Sequence, residues 1–171
     1  IGAADTAIVC TFTNSRTSLT LVKTVTNDNG GTATTAAFTL SATGPSTITG
    51  ISGSPAVTNA AVAPGTYTLS ETTLTGYAAG AWSCSAGTLT GNSLVLAGGQ
   101  AATCTINNND IAPVLTLAKT INGRAVATDQ FQLNINNGGP TVTSTGAQAA
   151  ISTTPFNATA GTAYSLTETY T

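Results

Sequence analysis

Histidine and methionine are absent from this 171-residue sequence, and charge is scarce: Lys+Arg 4 and Asp+Glu 6 amount to 6% of it, against about a quarter in an ordinary soluble domain. Without histidine no Ser-His-Asp set can be assembled, and three cysteines with no histidine make a poor zinc site. A net charge of −2 leaves no basic patch for nucleic acid or anionic lipid. No Gly-rich loop precedes a helical pattern, which excludes a phosphate-cradling loop. No apolar run approaches the ~18 residues of a membrane-spanning helix. No secretory leader stands at the N-terminus, as would equally hold for a mature secreted chain. Helical periodicity is missing over any useful length. The expectation is a protein that is not an enzyme, uses no cofactor or metal, and neither binds nucleic acid nor inserts into a membrane.

What is present is β-structure written twice. Hydrophobic residues make up 41%, enough for sizeable cores, and Thr, Ser and Asn supply the polarity that charge does not. "CTFTNSRTSLTLVKT" (10–24) returns as "CTINNNDIAPVLTLAKT" (104–120), and "YTLSET" (67–72) returns as "YSLTET" (164–169). A repeat of roughly 95 residues suits a seven- or eight-stranded sandwich. The predicted organisation is the last strand of a preceding repeat (or a donor strand) over 1–17, a complete repeat over 18–110, and an incomplete one over 113–171. "NNND" followed by "IAP" marks the junction, since Pro and an Asn cluster punctuate strands. Within the complete repeat, alternation predicts strands near 18–26, 36–42, 46–50, 55–62, 66–71, 80–85, 93–97 and 101–107, separated by Gly-rich turns. The fold class is all-β, as tandem Ig-like sandwiches.

The few charges are placed by the repeat. Lys23 and Lys119 are the lysines of the chain and Glu71 and Glu168 its glutamates, and each pair occupies one matching position in the two copies. The two-residue period of a strand puts Lys23 on the face of Leu19 and Leu21, and Glu71 on the face of Tyr67 and Leu69. In "CTINN" the same period groups Cys104, Ile106 and Asn108, with Thr105 and Asn107 opposite; Cys10, Phe12 and Asn14 share that register. An inward lysine, glutamate and asparagine are the expectation. The alternative is an edge-strand lysine pointing to water, with a solvated glutamate.

This constellation resembles the Cna-B and SpaA-type prealbumin-like domains of bacterial surface proteins and pili. It does so through Lys23 on the first strand, "YTLSETTLTGY" (67–77) and "CTINN" (104–108) on the last. The resemblance implies an intramolecular isopeptide bond. Lys23, made neutral by burial, would attack the side-chain carbonyl of Asn108 while Glu71 moves the proton and ammonia leaves. The neighbouring Asn107 is the competing acceptor. In the second repeat, Lys119 and Glu168 are the counterparts, with Asn14 as a possible acceptor.

The cysteines follow the same repeat. Cys84 shares a face with Trp82 and Cys104 faces inward, so a Cys84–Cys104 disulfide is expected, with free thiols as the alternative. A disulfide would imply an oxidising, extracytoplasmic setting. Cys10 corresponds to Cys104 and is expected to be unpaired within this chain. "NDNGG" and "NNND" gather oxygens that invite calcium, but neither matches a known calcium-loop pattern, and Asx turns explain them. "NAT" (157–159) fits a glycosylation sequon.

Two functions follow from this reading. One is an extracellular structural repeat protein forming a stalk, fibre or filament on a bacterial surface, its partners being neighbouring copies or repeats in head-to-tail order. The other is an adhesin module gripping a surface ligand, for which an enlarged aromatic loop would be the sign. Trp82 and Tyr77 are its only concentrated candidates. The ends of the chain pose a further choice. Residues 7–14 are either a strand donated to the open edge of 113–171 in another molecule, or part of a longer run of repeats.

Overall fold

Alternation of apolar residues with threonine and serine, broken repeatedly by glycine, leaves strands as the regular structure with the fewest conflicts. A computed structural model describes residues 10–11 and 15–171. It contains one single-turn 3-10 helix, Thr35–Ala37, and otherwise strands. The chain divides into two compact units. The first comprises the described residues up to Val25 with Thr34–Leu74 and Ala79–Asn108; the second comprises Thr26–Ala33, Thr75–Ala78 and Asn109–Thr171.

The first ten strands are β1 (Ser18–Thr26), β2 (Thr39–Thr43), β3 (Ile48–Ile51), β4 (Ala60–Ala61), β5 (Gly65–Glu71), β6 (Tyr77–Ala79), β7 (Ser83–Cys84), β8 (Thr88–Thr90), β9 (Ser93–Leu96) and β10 (Ala101–Asp110). One sheet runs β4-β1-β10-β6, with β7 also paired to β10; the other runs β3-β2-β5-β9-β8. Between β1 and β10, the Ser18 N–H donates to Gln100 O, and the Thr24 hydroxyl reaches Asn107 Oδ1 at 2.9 Å. Both partners advance together, so the first and last strands run parallel. The inner faces of the sheets meet in one core of Leu19, Leu21, Leu40, Tyr67, Leu69, Trp82, Leu94 and Ile106 with smaller residues between them.

In the second unit follow β11 (Val114–Leu115), β12 (Ala118–Thr120), β13 (Phe131–Ile135), β14 (Thr141–Thr143), β15 (Ala150–Ser152), β16 (Phe156–Asn157) and β17 (Leu166–Tyr170). Two of the pairings repeat those of the first unit at matching positions. Ser18 opposite Ala61 becomes Val114 opposite Asn157, and Leu40 opposite Glu71 becomes Leu133 opposite Glu168. Leu133, Ile135 and Ile151 form its small buried centre.

The strand expectations need several corrections. Residues 55–62 are mostly turn, with only Ala60–Ala61 extended. The buried Val57 nevertheless accepts the Leu21 N–H through its carbonyl, so a coil does part of a strand's work. The expected strand 36–42 begins only at Thr39, after the 3-10 turn, and 80–85 is extended only at Ser83–Cys84. Two strands stand outside those expected: β6, and β8, which forms a hairpin with the expected β9. Gly91 takes a φ of 58° there, a left-handed value that glycine adopts at no steric cost.

Candidate functional site: a lysine–glutamate pair built twice

β1 carries Leu19, Leu21 and Lys23 on its buried face, as the two-residue period requires. β5 does the same with Tyr67 and Leu69, and Glu71 continues that face. The two charges meet inside the sandwich. Lys23 Nζ lies 2.7 Å from Glu71 Oε2, with side-chain exposures of 0% and 7%. The ammonium also sits 4.5 Å from the centre of the Phe38 ring, a favourable cation–π position. Burial pushes the Lys23 amine below its ordinary value of 10.5, and the hydrogen bond and charge of Glu71 offset that only in part.

Asn108 occupies the inner face of β10, beside β1 in the sheet, and is 2% exposed. Its side-chain carbonyl is buried and accepts no hydrogen bond, and Lys23 Nζ and Glu71 Oε2 have no hydrogen-bond partner outside their ion pair. An unsatisfied buried amide carbonyl costs about 1–3 kcal/mol. Asn107 points the other way: it is exposed, and its Oδ1 accepts the Thr24 hydroxyl. An amine, a carboxylate and an amide carbonyl are thus all buried in one sandwich.

Cys84 and Cys104 stand directly opposite each other on β7 and β10 and are joined by a disulfide. The chain-entropy estimate for so short a loop is about 3 kcal/mol. Cys10 is an exposed free thiol. Asn14, and with it most of the 7–14 strand, lies outside the described residues.

The pair recurs in the second unit. Lys119 Nζ lies 2.7 Å from Glu168 Oε1 and 4.5 Å from the centre of the Phe131 ring. Here the exposures are 21% and 46%. Leu166, the counterpart of the fully buried Leu69, is 49% exposed.

Two contributors went unread in the sequence. Phe38 and Phe131 lie under the lysines; the alternation Phe38, Leu40, Ala42 pointed Phe38 inward, but nothing in it paired the ring with a lysine. Asp110, which closes the inward series 102, 104, 106, 108 on β10, is buried. Its carboxylate accepts the N–H groups of Asp28 (2.9 Å), Asn29 (2.9 Å) and Gly31 (2.6 Å). Burial pushes this carboxyl up, yet the backbone donors of Gly31, Asn29 and Asp28 outweigh it and hold the group below the usual aspartate value. The Asp110 carboxylate, one of the groups that invited calcium, is therefore engaged in tying a loop. Tyr77 pins the same loop: its hydroxyl donates to Asn27 Oδ1 and accepts the Ala33 N–H. A Cβ at Gly31 would come within 2.3 Å of that hydroxyl, so only glycine fits.

Two packed sheets, a parallel first and last strand, and a buried Lys–Glu pair in the same interior as a buried asparagine describe a prealbumin-like sandwich. Family models agree: a SpaA-type prealbumin-like fold domain matches residues 14–106, more than half of the chain, and a second model of the same description matches 114–171. The chain belongs to the SpaA-type prealbumin-like domain family. Domains of this type occur in pilus and cell-surface proteins, as structural parts and not as enzymes. No curated protein and no solved structure matches the chain.

Proposed function

We propose that this chain is a load-bearing repeat segment of an extracellular stalk or fibre on a bacterial surface, and that its first unit is closed by an amide bond between Lys23 and Asn108. A 171-residue chain of sandwich repeats with so little charge has no evident use in turnover chemistry; it suits repetition along a line. Proton transfer within the Lys23–Glu71 pair gives a neutral amine and a neutral carboxylic acid, the forms that burial favours. The amine attacks Asn108 Cγ. Glu71 hands a proton to the departing amide nitrogen and takes one from the attacking nitrogen. A C–N bond forms, a C–N bond breaks, and ammonia leaves. The bond joins the first strand to the last, so a pull on the two ends of the unit is borne covalently. It forms once per unit and is maturation, not turnover.

The observation that carries this reading is the fully buried ion pair sharing its interior with an amide carbonyl that has no donor. Intact mass under denaturing, non-reducing conditions tests it. The monomer is expected to lack one ammonia, besides the two hydrogens of the Cys84–Cys104 disulfide. Glu71→Ala is expected to restore the ammonia. A folded wild-type protein that retains it contradicts the proposal.

A further inference from the structure

The last strand offers Lys23 three consecutive asparagines, Asn107, Asn108 and Asn109, and amide chemistry by itself does not choose among them. Nor does the lack of a donor, because the Asn109 side-chain carbonyl is also buried and unpaired. What differs is the face. Asn108 lies inward with Ala102, Cys104 and Ile106, while Asn107 and Asn109 lie on the opposite side of β10. A slip or bulge of one residue would exchange the faces and present Asn107 or Asn109 to the amine. The apolar series that specifies the register stops at Ile106, and the four residues after it are all polar.

Two contacts hold the polar end of the strand. On the outer face, the Thr24 hydroxyl donates to Asn107 Oδ1 at 2.9 Å. On the inner face, the buried Asp110 carboxylate accepts the N–H groups of Asp28, Asn29 and Gly31. The Asn29 side-chain amide also donates to the Asp110 main-chain carbonyl at 3.2 Å. These donors belong to the loop that directly follows β1, the strand carrying Lys23, so the segment that brings the amine also grips the end of β10. Ile106 and Asp110 both point inward, with the three asparagines between them. Anchors of like parity leave no room for an inserted residue, and only the middle asparagine then faces the interior. We infer that Asp110 selects the acceptor: clasped by residues 28–31, it fixes β10 so that Asn108, and neither neighbour, meets Lys23. The inference rests on the chemistry proposed for Lys23 and Asn108. Because its carboxylate is taken up by the loop, Asp110 acts through the strand, as a positioning residue.

The test is the identity of the acceptor, which a merely stabilising residue would not change. Each of the three asparagines releases one ammonia on joining Lys23, so total mass does not distinguish them. Fragmentation of the branched peptide from the denatured 171-residue chain does. Wild type is expected to join Lys23 to Asn108. The variants are Asp110→Ala and Asp110→Ser, the second of which keeps a hydroxyl to accept one donor. In both, the share of Lys23 joined to Asn107 or Asn109, or left free, should rise about tenfold, the factor that one charge-assisted hydrogen bond is worth. An intact Cys84–Cys104 disulfide and a buried Trp82 show that a variant has folded. Asn108 as acceptor at wild-type yield in both folded variants overturns the inference and leaves the proposed function standing. Loss of the fold in both overturns it too, since Asp110 would then serve the fold at large. A wild-type chain with no amide overturns the proposed function and this inference with it.

Discussion

The same lysine–glutamate pair stands in two environments in this chain, and the contrast separates what makes the pair from what makes it reactive. Distance, cross-strand register and aromatic neighbour are equal in both units. These come from local strands alone, β1, β2 and β5 in one and β12, β13 and β17 in the other. Burial is not equal: Lys23 is sealed and Lys119 is 21% exposed. In the first unit β6–β10 complete the two sheets around the pair, whereas in the second unit this sequence reaches only β17, the counterpart of β5. Geometry is local here, and desolvation is delivered by the strands that complete the sheets.

The largest effect expected from this difference is in the lysines. With the chain otherwise wild type, Lys23→Ala leaves Glu71 buried and unpaired, a loss on the order of 3–5 kcal/mol before the covalent bond is counted. Lys119→Ala removes a partly solvated pair and should cost no more than about 1 kcal/mol. Denaturant unfolding followed by Trp82, which is buried in the first unit, measures the first, and amide exchange across β12 and β13 measures the second. Equal losses would break the comparison.

A smaller contrast is expected in the apolar counterparts. Leu69 is fully buried and Leu166 is 49% exposed. Leu69→Ala should cost about 2–5 kcal/mol, as truncations in a packed core do. Leu166→Ala should stay within about 1 kcal/mol. If Leu166→Ala is as costly as Leu69→Ala, the second unit is packed in solution as tightly as the first and the comparison fails.

Much of this was legible in the sequence because strands alternate strictly. Lys23 after Leu19 and Leu21, Glu71 after Tyr67 and Leu69, and Asn108 after Cys104 and Ile106 each inherit their face from residues that have no other place to go. Repetition supplied a second reading of the same positions. What stayed hidden depends on long-range spacing or on irregular backbone. The Phe38 ring beneath Lys23 is set by the separation of two sheets, which no local pattern encodes. Val57 is buried from within a coil, and its carbonyl serves β1 without forming a strand. Asp110 read as part of a polar junction, because the inward alternation of β10 runs two residues past the motif that identified the strand.

The smallest effect concerns that aspartate. Its folded value lies below 3.8, the ordinary one, so its contribution is present at neutral pH and is lost as pH falls below 3.8 toward the folded value. Amide exchange at Asn29 and Gly31 should accelerate in that acid window, and Asp110→Asn should produce the same acceleration at neutral pH. Protection unchanged in both would show that the loop does not depend on the carboxylate.

Lysine scarcity provides the most direct test of the central claim, that the sealed pair reacts with Asn108 and the partly solvated one does not. Trypsin cuts after a free lysine and not after one held in an amide, and Lys23 and Lys119 are the lysines present. Digestion of the denatured monomer fraction should cut after Lys119 and leave the chain uncut after Lys23, with a branched fragment joining Lys23 to Asn108. Cleavage after both lysines, in protein shown to have been folded beforehand, would contradict it.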